Sequence, residues 1–582
     1  MTSTDPVPSL TFTHPALGPI KARLVYPSVH GLPASSTPPI ANIRCIPYAT
    51  IPARFKQSVL VSNGLRDPAH FNDGRPRGDF TQYGYTCPQV PQGSAAAGGP
   101  TPEGERRYDE LTCLTATVSA PAARLQDGQA AARDEAGPPL PVTVYVRGGA
   151  FKEGAGPTSA GHDAAPLAAL ARRQPSAAPS SSSASRTASV GSASRRAGAC
   201  WARRRPRAPG RTRSSYGLRD QRNASRWIRE NVGGVGGDAA SVTAFGGERG
   251  GRVAGDASEC RGAAVQARGA AEWHGGTAGA VAAGGARRGV RPAEENGEKR
   301  VARLKEAPVQ RLVDAVDALS MATFSPYMGE ESGFFTVPPS YLTEPELAAK
   351  CDWVEDVMLG DCFFEGKVLE YAIKDLPPTY FVRLLKDIYG EESARRVLDA
   401  IAARASWATC GSRSRCTRSA VTLARHNQTS SKKKRVYRYN MCISNPFTGS
   451  ELSVIAGHHF VDVLYLFLTL TFRTPSQRDR FYARMAVEMG RKWILFGNGL
   501  PPWEAEYDAE NGNIAVLDDW RGRTVRTKDE DMRMSKEDPW SERRYRAWDI
   551  LREVFTSPGR NADGEYDAAK IEAAPLGFQM LQ

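Results

Sequence analysis

The stretch that decides the fold runs from Tyr216 to Gly251 and reads YGLRDQRNASRWIRENVGGVGGDAASVTAFGGERGG. Trp227, Ile228 and Val232 recur at helical spacing, so a helix is expected to end at the glycine-rich loop from Gly233 to Asp238. Ser241 to Phe245 is a β-branched and aromatic run that reads as a strand. It enters a glycine turn, Gly246-Gly247-Glu248-Arg249-Gly250, with the spacing of a G-x-S-x-G nucleophile elbow. Such an elbow holds a serine hydroxyl at the tip of a parallel sheet. Here the spacing is kept, and Glu248 stands where the serine would be.

Upstream of this stretch, Pro141 to Val146 alternates β-formers and reads as a central strand, followed by the turn Arg147-Gly148-Gly149-Ala150-Phe151. Shorter strand-like runs lie at Leu10 to Thr13 and Ile20 to Tyr26. Downstream, Arg303 to Leu319 and Tyr341 to Lys350 have helical periodicity, and Val354 to Leu359 reads as a buried strand ending near Glu365-Gly366. Lys434 to Ile443 alternates as a strand. A histidine pair, His458-His459, then precedes an apolar helix.

Asp220-Gln221, Ala224, Trp227-Ile228, Asn231-Val232, Gly236-Gly237-Asp238, Val242-Thr243 and Phe245-Gly246 form one ordered string. It resembles the segment leading to G-E-S-A-G in type-B carboxylesterases, the cholinesterase-like branch of the α/β-hydrolases. The resemblance implies an α/β fold with a large, mostly parallel central sheet flanked by helices. It also implies cofactor-free serine hydrolysis of a small-molecule ester. Arg44 to Ala49 is similar to the family's R-G-I-P-Y-A, with Cys45 at the glycine, and Trp493 to Pro502 resembles its closing helix.

Site residues follow from the resemblance one by one. The turn after Val146 is similar to H-G-G-A-F, which assigns oxyanion donors to the N–H groups of Gly149 and Ala150, with Arg147 in place of the usual histidine or tyrosine. Arg249, next to the nucleophile position, supplies the third donor. Glu365 matches the triad acid. His459 to Phe467 resembles H-G-x-E/D-L-x-Y-x-F, which makes His459 the general base and Asp462 its acidic neighbour, with His458 one residue out of step. Without the resemblance, the paired histidines read rather as core or cap residues, and Glu365 as a surface residue at a strand-end turn. Cys87 and Cys113 resemble the pair that closes a disulfide loop in secreted relatives, although a cytoplasmic compartment would keep both reduced.

The missing serine has a reading in the genetic code. Gly247 to Gly251 can be encoded GGA GAG CGC GGG GGN, and loss of one G restores Glu-Ser-Ala-Gly. Ser183 to Ser194, Gly269 to Gly275 and Ser412 to Ser419 also decode, in shifted frames, to strings similar to family segments in the expected order. We therefore expect an esterase domain over residues 1–507 with scrambled windows near 174–215, 247–300 and 404–420, followed by a charged tail over 508–582. A one-nucleotide insertion, biological or a sequence error, is the expected cause.

The chain has 582 residues and a formal charge of +13. No acidic residue lies between Asp163 and Asp220, a stretch dense in arginine, so much of the excess sits in one scrambled window. This argues against a nucleic-acid site, although a basic-tract interaction protein would look similar. No cysteine or histidine spacing suits a metal. The first residues, MTSTDPVPSL, lack the regions of a leader, and the longest apolar run, Val461 to Phe472, is too short for a membrane span. The expected location is cytoplasmic. A non-catalytic cholinesterase-like binding module is the alternative that Glu248 keeps open.

Overall fold

The computed structural model describes residues 7–30, 38–61, 76–89, 107–125, 138–149, 154, 162–172, 188–191, 216–246, 268–272, 297–318, 344–351, 353–364, 377–402, 407–447, 450, 452–453, 457–469, 477–536, 550 and 553–554. The chain begins with β1 (Ser9–His14), β2 (Gly18–Val25) and β3 (Ile40–Pro47). Two short strands, β4 (Ala49–Thr50) and β5 (Val59–Leu60), pair in a ribbon of their own, and β6 (Asp79–Phe80) pairs with β2. The series continues with β7 (Thr115–Pro121), β8 (Leu140–Tyr145), β9 (Ala188–Gly191), β10 (Gly237–Gly246) and β11 (Arg268–Glu272). It closes with β12 (Asp356–Cys362), β13 (Arg435–Met441), β14 (Ile514–Asp518) and β15 (Gly522–Arg526).

The main sheet runs β1-β2-β3-β7-β9-β8-β10-β11-β12-β13-β14-β15. Neighbours from β9 through β14 are parallel, while the flanking pairs are antiparallel. A parallel sheet needs apolar cover on both faces. Alternate residues of β8 show that cover: Val142 and Val144 join one apolar cluster, and Tyr145 joins the other. The first cluster includes Trp227 and Ile228 of α1 (Tyr216–Asn231), the helix read from the opening stretch. The second takes residues of α5 (Val461–Leu466) and α6 (Gln477–Gly497).

The expected strands at 10–13, 20–26, 141–146, 241–245, 354–359 and 434–443 all appear with shifted ends. Two of the windows expected to be scrambled also contribute strands, β9 and β11, which fill the places beside β8 and between β10 and β12. Residues 407–420 of the third window lie in α4 (Trp407–Thr429). Two readings change. The helix expected from Arg303 to Leu319 is two helices, α2 (Gly297–Glu306) and α3 (Val309–Ala318), parted at Pro308. Proline has no N–H to continue the ladder and disfavours helical backbone in the residue before it. The stretch expected as a charged tail from residue 508 contributes strands to the sheet: β14 is buried at all five positions and pairs with β13. The acidic and basic residues around that short apolar run concealed it.

Candidate active site

Parallel strands deliver their following loops to one edge of a sheet, where open α/β folds bind ligands. β8 and β10 are neighbours there, with Tyr145 opposite Phe245. The Val146 N–H donates to the Phe245 carbonyl at 2.8 Å, so β8 and β10 end side by side. Gly149 has a φ of 114°, a conformation that suits glycine. Ala150, Glu248 and Arg249 lie outside the described residues, as does Glu365.

Arg147, the unusual residue in this turn, is almost completely buried, and its Nη1 donates to the Gly148 carbonyl at 3.2 Å. Burial pulls its pKa below the ordinary value, with Cys87 and Tyr145 acting in the opposite direction. A side chain at Gly154 would strike the guanidinium, so glycine there leaves it room. Cys87 and Cys113 are fully buried, and the Cys87 thiol donates to Cys113 Sγ at 2.8 Å. Cys45 and the other described cysteines are likewise buried thiols.

On the far side of β10 and β11, β12 runs out through Phe363 and Phe364 toward Glu365. Phe363 N–H donates to Met441 O and Phe364 N–H to Gly457 O, each at 2.8 Å. His459 N–H returns a bond to Phe364 O at 2.9 Å. The residue before the candidate acid is thus tied by backbone to the candidate base.

His459 is half-buried, whereas His458 is completely buried. The His458 ring contacts Asn445 Nδ2 at 2.8 Å and the His459 carbonyl at 2.6 Å. Phe460, at the family's glycine position, has a left-handed φ of 72°. Asp462 is buried and receives the Tyr439 hydroxyl at 3.0 Å and its neighbour Val463 N–H at 2.8 Å. The acidic position of the motif therefore ties the helix after His459 to β13.

Sequence reasoning did not single out His162 or Tyr439. His162 stacks on Tyr145 at 5.3 Å between ring centroids and meets Phe460 edge-on at 5.5 Å. It thereby connects the end of β8 with the residue after His459. Phe467 and Phe245 complete the aromatic group around Tyr145. The available signal was local: Asp163, beside His162, accepts the Ala165 N–H at the start of a helix, as in a capping turn. Tyr439 was visible only as one member of an alternating strand.

No protein-family model matches the chain, and no curated protein matches it in sequence. Solved structures do. Juvenile hormone esterase from Manduca sexta, with OTFP covalently attached, matches with a TM-score of 0.67 and 16% identity over 94% of this chain and 100% of its own. A PNB esterase structure matches with a TM-score of 0.58 and 18% identity, covering 91% of this chain and 100% of its own. Another PNB esterase structure gives 0.59 and 19%, covering 92% and 100%. The chain thus has the α/β-hydrolase fold of these esterases, as the sequence resemblance implies.

Proposed function

We propose that this chain carries the frame of a serine carboxylic ester hydrolase acting on a small-molecule ester, with its nucleophile position occupied by Glu248. His459 is the general base, Glu365 orients it, and the N–H groups of Gly149, Ala150 and Arg249 face the oxyanion. The observation that supports this reading is convergence at one sheet edge. β8 and β10, which precede the proposed oxyanion and nucleophile turns in the sequence, end side by side, while β12 continues to Phe364, whose carbonyl accepts the His459 N–H. The chemistry requires no cofactor.

With Glu248 in place, the polypeptide is inactive. A carboxylate cannot replace a hydroxyl in the histidine relay, and its charge opposes a developing oxyanion. Loss of a triad nucleophile costs about a million-fold in turnover. The competing reading, a non-catalytic cholinesterase-like binding module, draws its support from Glu248 itself.

The chain and its Glu248→Ser variant should be compared by p-nitrophenyl acetate hydrolysis and by covalent labelling with a fluorophosphonate. Labelling and turnover should appear only in the variant. A folded variant that neither labels nor turns over would overturn the esterase reading. A cDNA read across codons 240 to 300 decides the origin of Glu248: restoration of G-E-S-A-G identifies a frame error, and an intact frame favours the binding module.

A further inference from the structure

Resting on the reading of His459 as general base, we propose that His458 is a positioning residue: locked by Asn445 in one tautomer, it clamps the main-chain carbonyl of His459. The inference begins at Phe447, whose N–H donates to Asn445 Oδ1 at 2.9 Å. That bond fixes which end of the amide faces which way, so Asn445 Nδ2 is the group 2.8 Å from His458 Nε2. An amide nitrogen only donates, so Nε2 accepts and the ring proton sits on Nδ1. A carbonyl only accepts, and Nδ1–H donates to His459 O at 2.6 Å. The two contacts require the same tautomer.

The consequence falls on His459. Its N–H is held by Phe364 O, and its C=O is held by the His458 ring, so the main chain is fixed on both sides of the base. The next residue, Phe460, has a φ of 72°. A bulky side chain in that region is strained and persists only where its surroundings determine it. The peptide between His459 and Phe460 carries the clamped carbonyl, so His458 holds the plane from which Phe460 departs. The His458 carbonyl also accepts Val461 N–H at 3.1 Å, which closes the turn around Phe460. Complete burial of His458 keeps water from competing for these bonds.

Two measurements test this role. In the full chain as it stands, nitrogen shifts of 15N-labelled histidine should show His458 protonated at Nδ1 and bare at Nε2; the reverse tautomer overturns the proposal. In the Glu248→Ser background, His458→Leu should lower kcat about 10- to 100-fold with KM unchanged. His458→Asn, which retains an N–H near the δ position, should recover most of that loss. A folded His458→Leu with the parent kcat, or equal losses in the Leu and Asn variants, overturns it. If His458→Leu does not fold, His458→Asn against His458→Gln decides, since only Asn places its donor correctly; equal kcat values overturn the role. A parallel His459→Ala variant separates the two levels. Turnover that survives it removes the base reading and the positioning role together. Turnover that vanishes there but stays unchanged in His458→Leu removes only the positioning role.

Discussion

The backbone N–H of His459 donates to the carbonyl oxygen of Phe364 across 2.9 Å. This bond joins two segments far apart in sequence, one leading into Glu365 and the other carrying the candidate base. If Glu365 orients His459, loss of its charge with its shape retained should impair turnover through the wrong tautomer or a poorly stabilised imidazolium. In the Glu248→Ser background, Glu365→Gln is expected to lower kcat about 10⁴-fold with little change in KM. Steady-state kinetics checks this, and activity within a few-fold of the parent would move the acid elsewhere.

Cys45 and Phe460 both occupy positions where the family resemblance implies glycine, and both have positive φ, 55° and 72°. Cys45 is buried, its N–H reaches Thr117 Oγ1 at 3.3 Å, and burial pushes its thiol pKa up. It is thus an unreactive side chain on a backbone suited to glycine. Cys45→Gly should be nearly neutral, because relief of the left-handed strain offsets the lost packing. A β-branched residue fits this conformation worst, so Cys45→Val should be less stable than Cys45→Gly by about 2 kcal/mol. Thermal unfolding of the two variants measures the difference, and equal midpoints would refute the strain argument.

These two positions also show how far the sequence could be read. The string from Asp220 to Gly246 and the alternation around Val142 and Tyr437 locate the central strands, because burial on a sheet imposes a periodicity that survives without an alignment. The site was legible only as positions along the chain. Neither the bond from His459 to Phe364 nor the stacking of His162 on Tyr145 is encoded in local spacing. Both arise where separate segments meet at one sheet edge. β14 was missed because its apolar core is short and enclosed by charge. Those charges find tertiary partners: Arg526 binds Asp518 at 2.8 Å and Asp531 at 3.0 Å.

His14 should make the fold sensitive to mild acid. Its Nε2–H donates to the Asn231 carbonyl at 2.8 Å, and its Nδ1 accepts the N–H groups of Ala16 and Leu17, each at 3.1 Å. Burial lowers its pKa, against a smaller opposite effect of the Asn231 bond. The unfolded chain therefore takes up the proton first. The contribution of His14 is complete above an unfolded imidazole pKa of about 6.5 and is lost as pH falls through the lower folded value. Urea unfolding at pH 7.5 and 5 should show a larger acid loss in the parent than in His14→Gln, and equal losses would exclude His14 as the source.

The strand that leads to Glu365 contains a buried ion pair whose removal can be separated from its replacement. Asp361 is fully buried, and its Oδ2 receives Arg438 Nη2 at 2.6 Å; the same guanidinium donates to Thr417 Oγ1 at 2.7 Å. Asn440 donates to the other carboxylate oxygen. Replacing Asp361 with alanine strands a guanidinium within the sheet's helical cover and should cost about 3–5 kcal/mol. Replacing both partners, Asp361→Leu with Arg438→Met, removes the charges together and leaves apolar volume in their place. The double variant should therefore unfold at higher denaturant than Asp361→Ala, despite two substitutions. A double variant less stable than Asp361→Ala would show that the pair contributes net stability beyond mutual neutralisation.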